Sequence, residues 1–161
     1  MNPATAILAC IAVPVVGALL VTLTGRWPNL RESVTLLSAA TLFALVIFLF
    51  RGVAAGARPE SLVAEMMPGL SIAFAVEPLG MLFALVASFL WIVTSVYSIG
   101  YMRGHHETNQ TRFYACFAIA LGSTMGVAFA GNLLTLFIFY EALTLSTYPL
   151  VIPSGTDEAR R

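Results

Sequence analysis

Residues 113–156 read FYACFAIALGSTMGVAFAGNLLTLFIFYEALTLSTYPLVIPSGT and contain one charged residue, Glu141. As a single helix rising about 1.5 Å per residue, this segment would be roughly twice as long as the bilayer's hydrocarbon core is thick. It must therefore fold back on itself. We expect the break at Gly131, a flexible residue followed by a capping asparagine. The segment thus predicts two helices, at 113–130 and 132–152.

The rest of the chain is also rich in apolar residues and poor in charged ones. Of its 161 residues, 59% are hydrophobic and 10% are charged, against roughly 45–50% and 25% in soluble domains. Clusters of charge separate long uncharged runs, and each run approaches or exceeds the roughly 18–20 residues that cross a bilayer. The first run lacks the basic start and the cleavage pattern of a signal peptide. We predict an all-α membrane protein, a single domain over 1–161 with helices near 3–24, 33–50, 78–102, 113–130 and 132–152.

Several classes of function are excluded by the residue types. Eight arginines balance eight carboxylates and there is no lysine, so we expect no nucleic-acid partner. Cys10 and Cys116 lie in apolar runs and are too few for a disulfide framework or a thiolate metal site. His105 and His106 are adjacent, and adjacent histidines rarely converge on one metal, so we interpret them as part of a solvated loop. We find no cofactor motif and no active-site motif.

The arginines are divided unequally between the two sides of the predicted bundle. The loops at 25–32 and 103–112 and the C-terminal tail share one side and carry six arginines, whereas the other side carries only Arg51 and Arg58. Because basic residues in short loops are retained in the cytoplasm, we expect the N-terminus outside and the C-terminus in the cytoplasm.

The outer loop at 51–77 contains an alternation typical of a β-strand. Leu70, Ile72, Phe74 and Val76 alternate with smaller or polar residues, and a period of two favours a strand at the membrane surface. Such a strand needs a partner strand or a membrane surface to cover its apolar side. An extended connector that dips into the interface explains the alternation equally well.

Glu141 is the main candidate for chemistry. It would be the tenth residue of a helix of about 21, near the bilayer centre, where an acidic side chain costs on the order of 3 kcal/mol to insert. Thr144 and Tyr148 share its face, so their hydroxyls could extend a proton path toward the cytoplasm. Alternatively, Glu141 is a neutral hydrogen-bonding group that holds a neighbouring helix, and the hydroxyls are helix contacts or interface anchors.

The fourth predicted helix carries small residues at every fourth position: Ala118, Gly122, Gly126 and Ala130. Such a stripe lets another helix backbone approach closely. It predicts helix packing rather than chemistry.

A resemblance to a known family follows from these segments. NLLTLFIFYEALTLSTYPLV at 132–151, preceded by YSIGYMRGHHETNQTRFYACFAIALGSTMGVAFAG at 97–131, resembles the antiporter-like subunits of respiratory complex I and of Mrp-type sodium/proton antiporters, and most closely the D-type Mrp subunit. The resemblance is specific over about 76–161. It implies an outer hairpin, an essential glutamate on the fifth helix at Glu141, and a location in the inner membrane of a prokaryote.

The resemblance also implies a mechanism and partners. The glutamate would pair with a lysine on a later helix, and changes in that pairing would move protons, coupled to quinone reduction or to cation exchange. The expected partners are other membrane subunits, the lipid bilayer, protons and, in an antiporter, sodium. Family members have some fourteen helices, so we expect the chain to be an N-terminal fragment or the product of a split gene.

Three functions therefore remain open. The first is a proton-translocating subunit of a cation/proton antiporter or of an NADH:quinone oxidoreductase-type complex. The second is a packing or assembly subunit without transport. The third, an independent channel, is disfavoured because the chain lacks a lysine to oppose Glu141.

Overall fold

The computed structural model describes residues 2–67, 69–104 and 109–151. Five helices and one β-hairpin occur in these ranges: α1 Pro3–Leu23, α2 Pro28–Ala54, β1 Glu60–Met67, β2 Leu70–Ala75, α3 Pro78–Gly104, α4 Gln110–Ala128 and α5 Leu133–Val151. The predicted class, a helical membrane protein with a short extended element, is confirmed.

Helix α4 lies at the centre of the bundle. It packs against α1, α3 and α5, while α2 packs between α1 and α3. Large apolar side chains fill the space between the helices, among them Ile7, Leu42, Val46, Met125 and Phe129. Successive helices run in opposite directions, so the bundle has two ends. We call the one that carries β1 and β2 the hairpin end, and the one that carries Arg31 and Arg103 the arginine end.

Within the described part of the chain, four helices have the length and apolar character needed to cross a membrane, namely α1, α2, α3 and α5 over Leu133–Leu150. Helix α4 is not among them. It begins with Gln110, Thr111 and Arg112 and contains Ser123 and Thr124, which lower its mean hydropathy. A helix surrounded by other helices can carry such residues, because its neighbours rather than lipid cover them.

Helix α2 is longer than predicted. We expected 33–50, bounded by charges, but the helix runs over Pro28–Ala54. Its 27 residues span about 40 Å, more than the roughly 30 Å of hydrocarbon, so charged residues can lie within the helix at its two ends. A proline at the first position suits a helix start. The other four helices differ from the predicted bounds by at most three residues at either end.

The hairpin confirms the predicted strand and supplies its partner. Strands β1 and β2 pair antiparallel, with Glu60 opposite Ala75 and Leu62 opposite Ala73, and the register shifts twice along β1. Gly69 adopts a positive φ of 81° in the connecting turn, a conformation that glycine takes without steric cost. The alternative of an unpaired extended connector is therefore wrong.

The predicted break at Gly131 is confirmed, since α4 ends at Ala128 and α5 begins at Leu133. The break is held by β2. The amide of Gly131 donates to the carbonyl of Ala73 at 2.9 Å, and the amide of Ala75 donates to the carbonyl of Phe129 at 2.9 Å. The residues between α4 and α5 thus lie along β2 almost as a third strand.

Candidate functional site

Glu141 lies near the middle of a membrane-spanning helix. It is the ninth of the 19 residues of α5, and its side chain is exposed on the surface of the bundle. Within the described ranges, no hydrogen bond or ion pair reaches its carboxyl group. An acidic side chain at this depth, open to the outside of the helices, is costly unless another group covers it.

Thr144 and Tyr148 lie on the same exposed face of α5 as Glu141, as their spacing predicts. The hydroxyl of Thr144 donates to the carbonyl of Tyr140 at 3.0 Å, and Tyr148 is 68% exposed. The three side chains therefore form one polar row directed from the helix middle to the arginine end. Whether the row carries protons remains a prediction.

The remainder of this face is apolar and exposed. Leu133, Phe137 and Leu145 have relative exposures of 83%, 60% and 73%. We call this surface, together with Glu141, Thr144 and Tyr148, the α5 outer face. Large exposed apolar side chains are typical of a surface that other membrane helices or lipid cover, and the carboxyl group among them favours a helix over lipid.

The hairpin fixes the start of α5. Asn132 caps the helix by accepting a hydrogen bond from the amide of Thr135 at 2.8 Å, and its side-chain amide donates to the carbonyl of Ser71 at 2.6 Å. The hydroxyl of Thr135, which is fully buried, accepts from the amide of Ala73 at 3.0 Å. These bonds attach the first turn of α5 to β2. They therefore fix the position of Glu141 along the bundle axis relative to the hairpin.

Close packing against α4 fixes the rotation of α5. A Cβ built on Gly126 would overlap the ring of Phe139, whose centroid lies 5.6 Å from that of Phe74. Gly122 instead faces α1, where a Cβ would lie 3.2 Å from the carbonyl oxygen of Ile11. The predicted small-residue stripe therefore contacts two different helices.

One residue of the predicted stripe does not belong to it. Ala118 is buried within α4, but Ala130 lies beyond the end of α4 and forms a β-bridge with Phe74. The expected helix end at residue 130 is therefore wrong. The chain leaves the helix early because its backbone groups pair with β2 instead.

A second group of polar residues lies at the arginine end. Glu32 is 6% exposed and accepts hydrogen bonds from the guanidinium of Arg103, with Nε at 3.0 Å from Oε1. Arg103 also donates to Asn29 at 2.6 Å. Arg31 is 5% exposed and lies 3.8 Å from Glu32. We call Arg31, Glu32 and Arg103 the charged cluster.

Arg31 joins this cluster to the start of α4. Its guanidinium donates to Thr111 at 3.1 Å and to Gln110 at 2.7 Å. It also lies over the ring of Tyr114, at 5.4 Å from the ring centroid. The cluster therefore connects α2, α3 and α4 at one level of the bundle.

The sequence interpretation of Arg31 and Glu32 was wrong, because we placed both in a loop at 25–32. They lie in the first turns of α2 and are buried by α3 and α4. One local signal pointed to a helix here, the proline at 28 after an aromatic residue. The partner Arg103 is too distant in sequence to be found from such a pattern.

Among the described residues, Cys10 and Cys116 belong to neither group. Cys10 is buried, as expected, and Cys116 is partly buried. His105, His106 and Glu107 lie outside the described residues. Among those that are described, no three histidine, cysteine or acidic side chains come together as a metal site would require.

Comparison with known proteins identifies relatives of part of the chain. Residues 67–114 match the family model for the N-terminus of chain 5 of NADH-ubiquinone oxidoreductase, complex I. NAD(P)H-quinone oxidoreductase chain 5 of Picosynechococcus is 29% identical over 82 residues, 51% of this chain and 12% of the relative. NADH-quinone oxidoreductase subunit N of Desulforudis audaxviator is 34% identical over 89 residues, 55% of this chain and 18% of the relative.

An antiporter relative gives a similar match. The Na(+)/H(+) antiporter subunit A1 of Staphylococcus aureus is 28% identical over 83 residues, 52% of this chain and 10% of the relative. The matches thus cover less than a fifth of each of these three proteins. They confirm the predicted resemblance to antiporter-like subunits. The finer match to the D-type Mrp subunit stays a prediction.

The fold has a counterpart among solved structures. A chain in the structure of the membrane-bound sulfane sulfur reductase, an archaeal respiratory membrane complex, aligns with a TM-score of 0.74 at 16% identity. The alignment covers 92% of this chain and 23% of the other. At this identity the likeness establishes the arrangement of helices and hairpin.

Proposed function

We propose that this chain, a relative of the antiporter-like membrane subunits, forms part of a proton-translocating subunit in a multi-subunit membrane complex. The complex is a cation/proton antiporter or an NADH:quinone oxidoreductase-type assembly. Its relatives are named as subunits or chains of both kinds of assembly. In this proposal Glu141 takes up and releases the proton, and Thr144 and Tyr148 extend the path toward the arginine end.

The exposed position of Glu141 is the observation that carries the proposal. Inserting an acidic side chain near the bilayer centre costs on the order of 3 kcal/mol, and ionisable groups at such depth usually mark ion paths. A group used only for packing among these five helices would be expected to bond to one of them. Glu141 instead faces outward from α5 and bonds to none of the described residues.

A cation from outside this sequence completes the site in our proposal. The resemblance implies a lysine on a later helix, and the 161 residues contain no lysine. Arg31 and Arg103 lie at the arginine end and are engaged with Glu32. A helix that carries a basic residue would therefore cover the α5 outer face, supplied by a continuation of the chain or by another subunit.

The orientation follows from the division of arginines. We propose that the arginine end faces the cytoplasm of a prokaryotic cell and that the hairpin lies on the outer surface of the inner membrane. Protons would then reach Glu141 from the cytoplasm along Thr144 and Tyr148. Protons are the proposed ion, and sodium is added if the parent complex is an antiporter.

The test replaces Glu141 in the complete complex, reconstituted into lipid vesicles. Glu141→Gln keeps hydrogen bonding but cannot cycle a proton, so we expect proton translocation to fall by at least about tenfold while assembly is retained. Glu141→Asp keeps a carboxyl group and should retain part of the translocation rate. Glu65→Gln, an exposed carboxylate in the hairpin, is the matched control and should leave the rate unchanged.

The other outcomes select between the alternatives. If Glu141→Gln translocates protons at the normal rate, the proposal is wrong. If Glu141→Gln prevents the complex from assembling while Glu65→Gln does not, a packing or assembly role for Glu141 is supported instead. Conductance by the purified chain alone would support an independent channel.

A further inference from the structure

The buried face of α3 changes in chemical character along its length. At the hairpin end it carries Met81 and Ala84, which are apolar and fully buried. From the helix middle to the arginine end, the same face carries one buried residue in each turn: Ser88, Trp91, Ser95 and Ser98. These side chains face the neighbouring helices rather than lipid, because each is less than one-tenth exposed.

Two polar atoms on this face lack a hydrogen-bond partner among the described residues, namely the indole nitrogen of Trp91 and the hydroxyl of Ser95. Beside them lies the buried hydroxyl of Tyr114 on α4, which contacts Ser98. Each of the three residues is only 1% exposed. A burial this complete leaves each atom without bulk solvent, and buried polar atoms in native proteins almost always have a partner.

The nearby serines show that the helix backbone could have supplied such partners. The hydroxyl of Ser88 donates to the carbonyl of Leu85 at 3.1 Å, and that of Ser98 donates to the carbonyl of Thr94. Ser95 makes no such bond. Its hydroxyl is therefore available to a different group, and the indole N–H of Trp91, one helical turn away, adds a donor on the same face of α3.

These atoms continue the polar region that starts at the charged cluster. The ring of Tyr114 lies against Arg31, and its hydroxyl lies beside Ser98. Ser98, Ser95 and Trp91 follow along α3 at spacings of three and four, so they share one face. From Arg103 to Trp91 the helix rises about 18 Å, which is more than half of the hydrocarbon thickness.

We propose that ordered water occupies the interface of α3 with its neighbouring helices along Tyr114, Ser98, Ser95 and Trp91, which we call the polar seam. A buried water makes two to four hydrogen bonds, and the seam offers an indole donor and hydroxyls that both donate and accept. The seam brings water from the charged cluster to the middle of the bundle. It lies on α3, and it is separate from the α5 outer face that carries Glu141.

The test is X-ray radiolysis of the native protein in its complex, in which hydroxyl radicals form from bound water and oxidise adjacent side chains. Each rate is divided by the rate of the same residue in the unfolded chain. We expect Trp91 and Tyr114 to be oxidised about tenfold faster than Met81 and Met125 on this scale. Both methionines are as deeply buried, at 1% and 0% exposure, but lie among apolar side chains.

The result that overturns the proposal is equal protection of all four residues. A variant adds an independent readout: Ser95→Val fills the seam with a methyl group and should slow oxidation of Trp91 at least about threefold. The matched control is Ala84→Val on the same face of α3, in its apolar half, which should leave Trp91 unchanged. If both variants alter folding, the comparison within the native protein still decides.

Discussion

Glu32 in α2 is bonded through its carboxylate to the guanidinium of Arg103 at the end of α3, although 71 positions separate the two residues. The pair is asymmetric, because the side chain of Glu32 is 7% exposed and that of Arg103 is 51% exposed. Glu32 therefore depends on its partners for solvation much more than Arg103 does. It also opposes the charge of Arg31, which is buried beside it.

Glu32→Gln is expected to lower the free energy of unfolding by about 1–3 kcal/mol, because the buried guanidinium of Arg31 loses the charge that opposes it. The measurement is thermal or denaturant unfolding of the purified protein in detergent. Glu65→Gln, on the exposed side of the hairpin, should change stability by less than about 0.5 kcal/mol. Equal losses in both variants would show that the cluster contributes nothing specific.

Gly126→Ala should destabilise the bundle by about 1–3 kcal/mol, because the new Cβ overlaps the ring of Phe139. Since the obstacle is a side chain, adding Phe139→Leu should recover part of the loss. Gly80→Ala meets the backbone carbonyl of Ala128 instead, so no side-chain change can relieve it. Gly52→Ala is the control, since nothing lies within 4 Å of its Cβ. Failure of Phe139→Leu to rescue Gly126→Ala would contradict the assigned contact.

Thr135→Val should loosen the hairpin, because the buried hydroxyl that accepts from the amide of Ala73 is lost. We expect a cost of about 1–2 kcal/mol and faster amide hydrogen exchange over 70–75. Thr147→Val removes only a bond within α5 and should leave exchange in the hairpin unchanged. Unchanged exchange in Thr135→Val would mean that the other contacts of β2, such as the Asn132–Ser71 and Gly131–Ala73 bonds, are sufficient to hold the strand.

Thr144→Val and Tyr148→Phe test the hydroxyl row separately from Glu141. If the row carries protons, each variant in the reconstituted complex should translocate protons about twofold to tenfold more slowly, without loss of assembly. Leu145→Val, an apolar change on the same exposed face, should have no effect on the rate. A normal rate in both hydroxyl variants would assign Thr144 and Tyr148 to interhelical contacts or interface anchoring.

The sequence was sufficient for features that depend on local composition. The break at Gly131 followed from the length of an uncharged run, and the strand near Phe74 followed from alternation over a few residues. The depth of Glu141 followed from the same counting. In each case the physical cause lies within about 20 neighbouring residues, either bilayer thickness or strand geometry.

The features that sequence analysis missed depend on contacts between distant segments. Strand β1 has no clear alternation, and its position is set by pairing with β2. Arg31 and Glu32 look like loop charges until Arg103 and α4 are placed against them. The unpartnered atoms of Trp91 and Ser95 are also visible only once α3 is surrounded by its neighbours.

The attachment of Asn132 to Ser71 has a consequence for biosynthesis. The two residues are 61 positions apart, so at about 5–20 residues per second the ribosome needs roughly 3–12 s to reach Asn132 after Ser71. During that interval the hairpin has emerged, but the segment that binds its free edge has not. The free edge of β2 therefore has no partner until the α4–α5 break has been synthesised, and this segment completes the hairpin end.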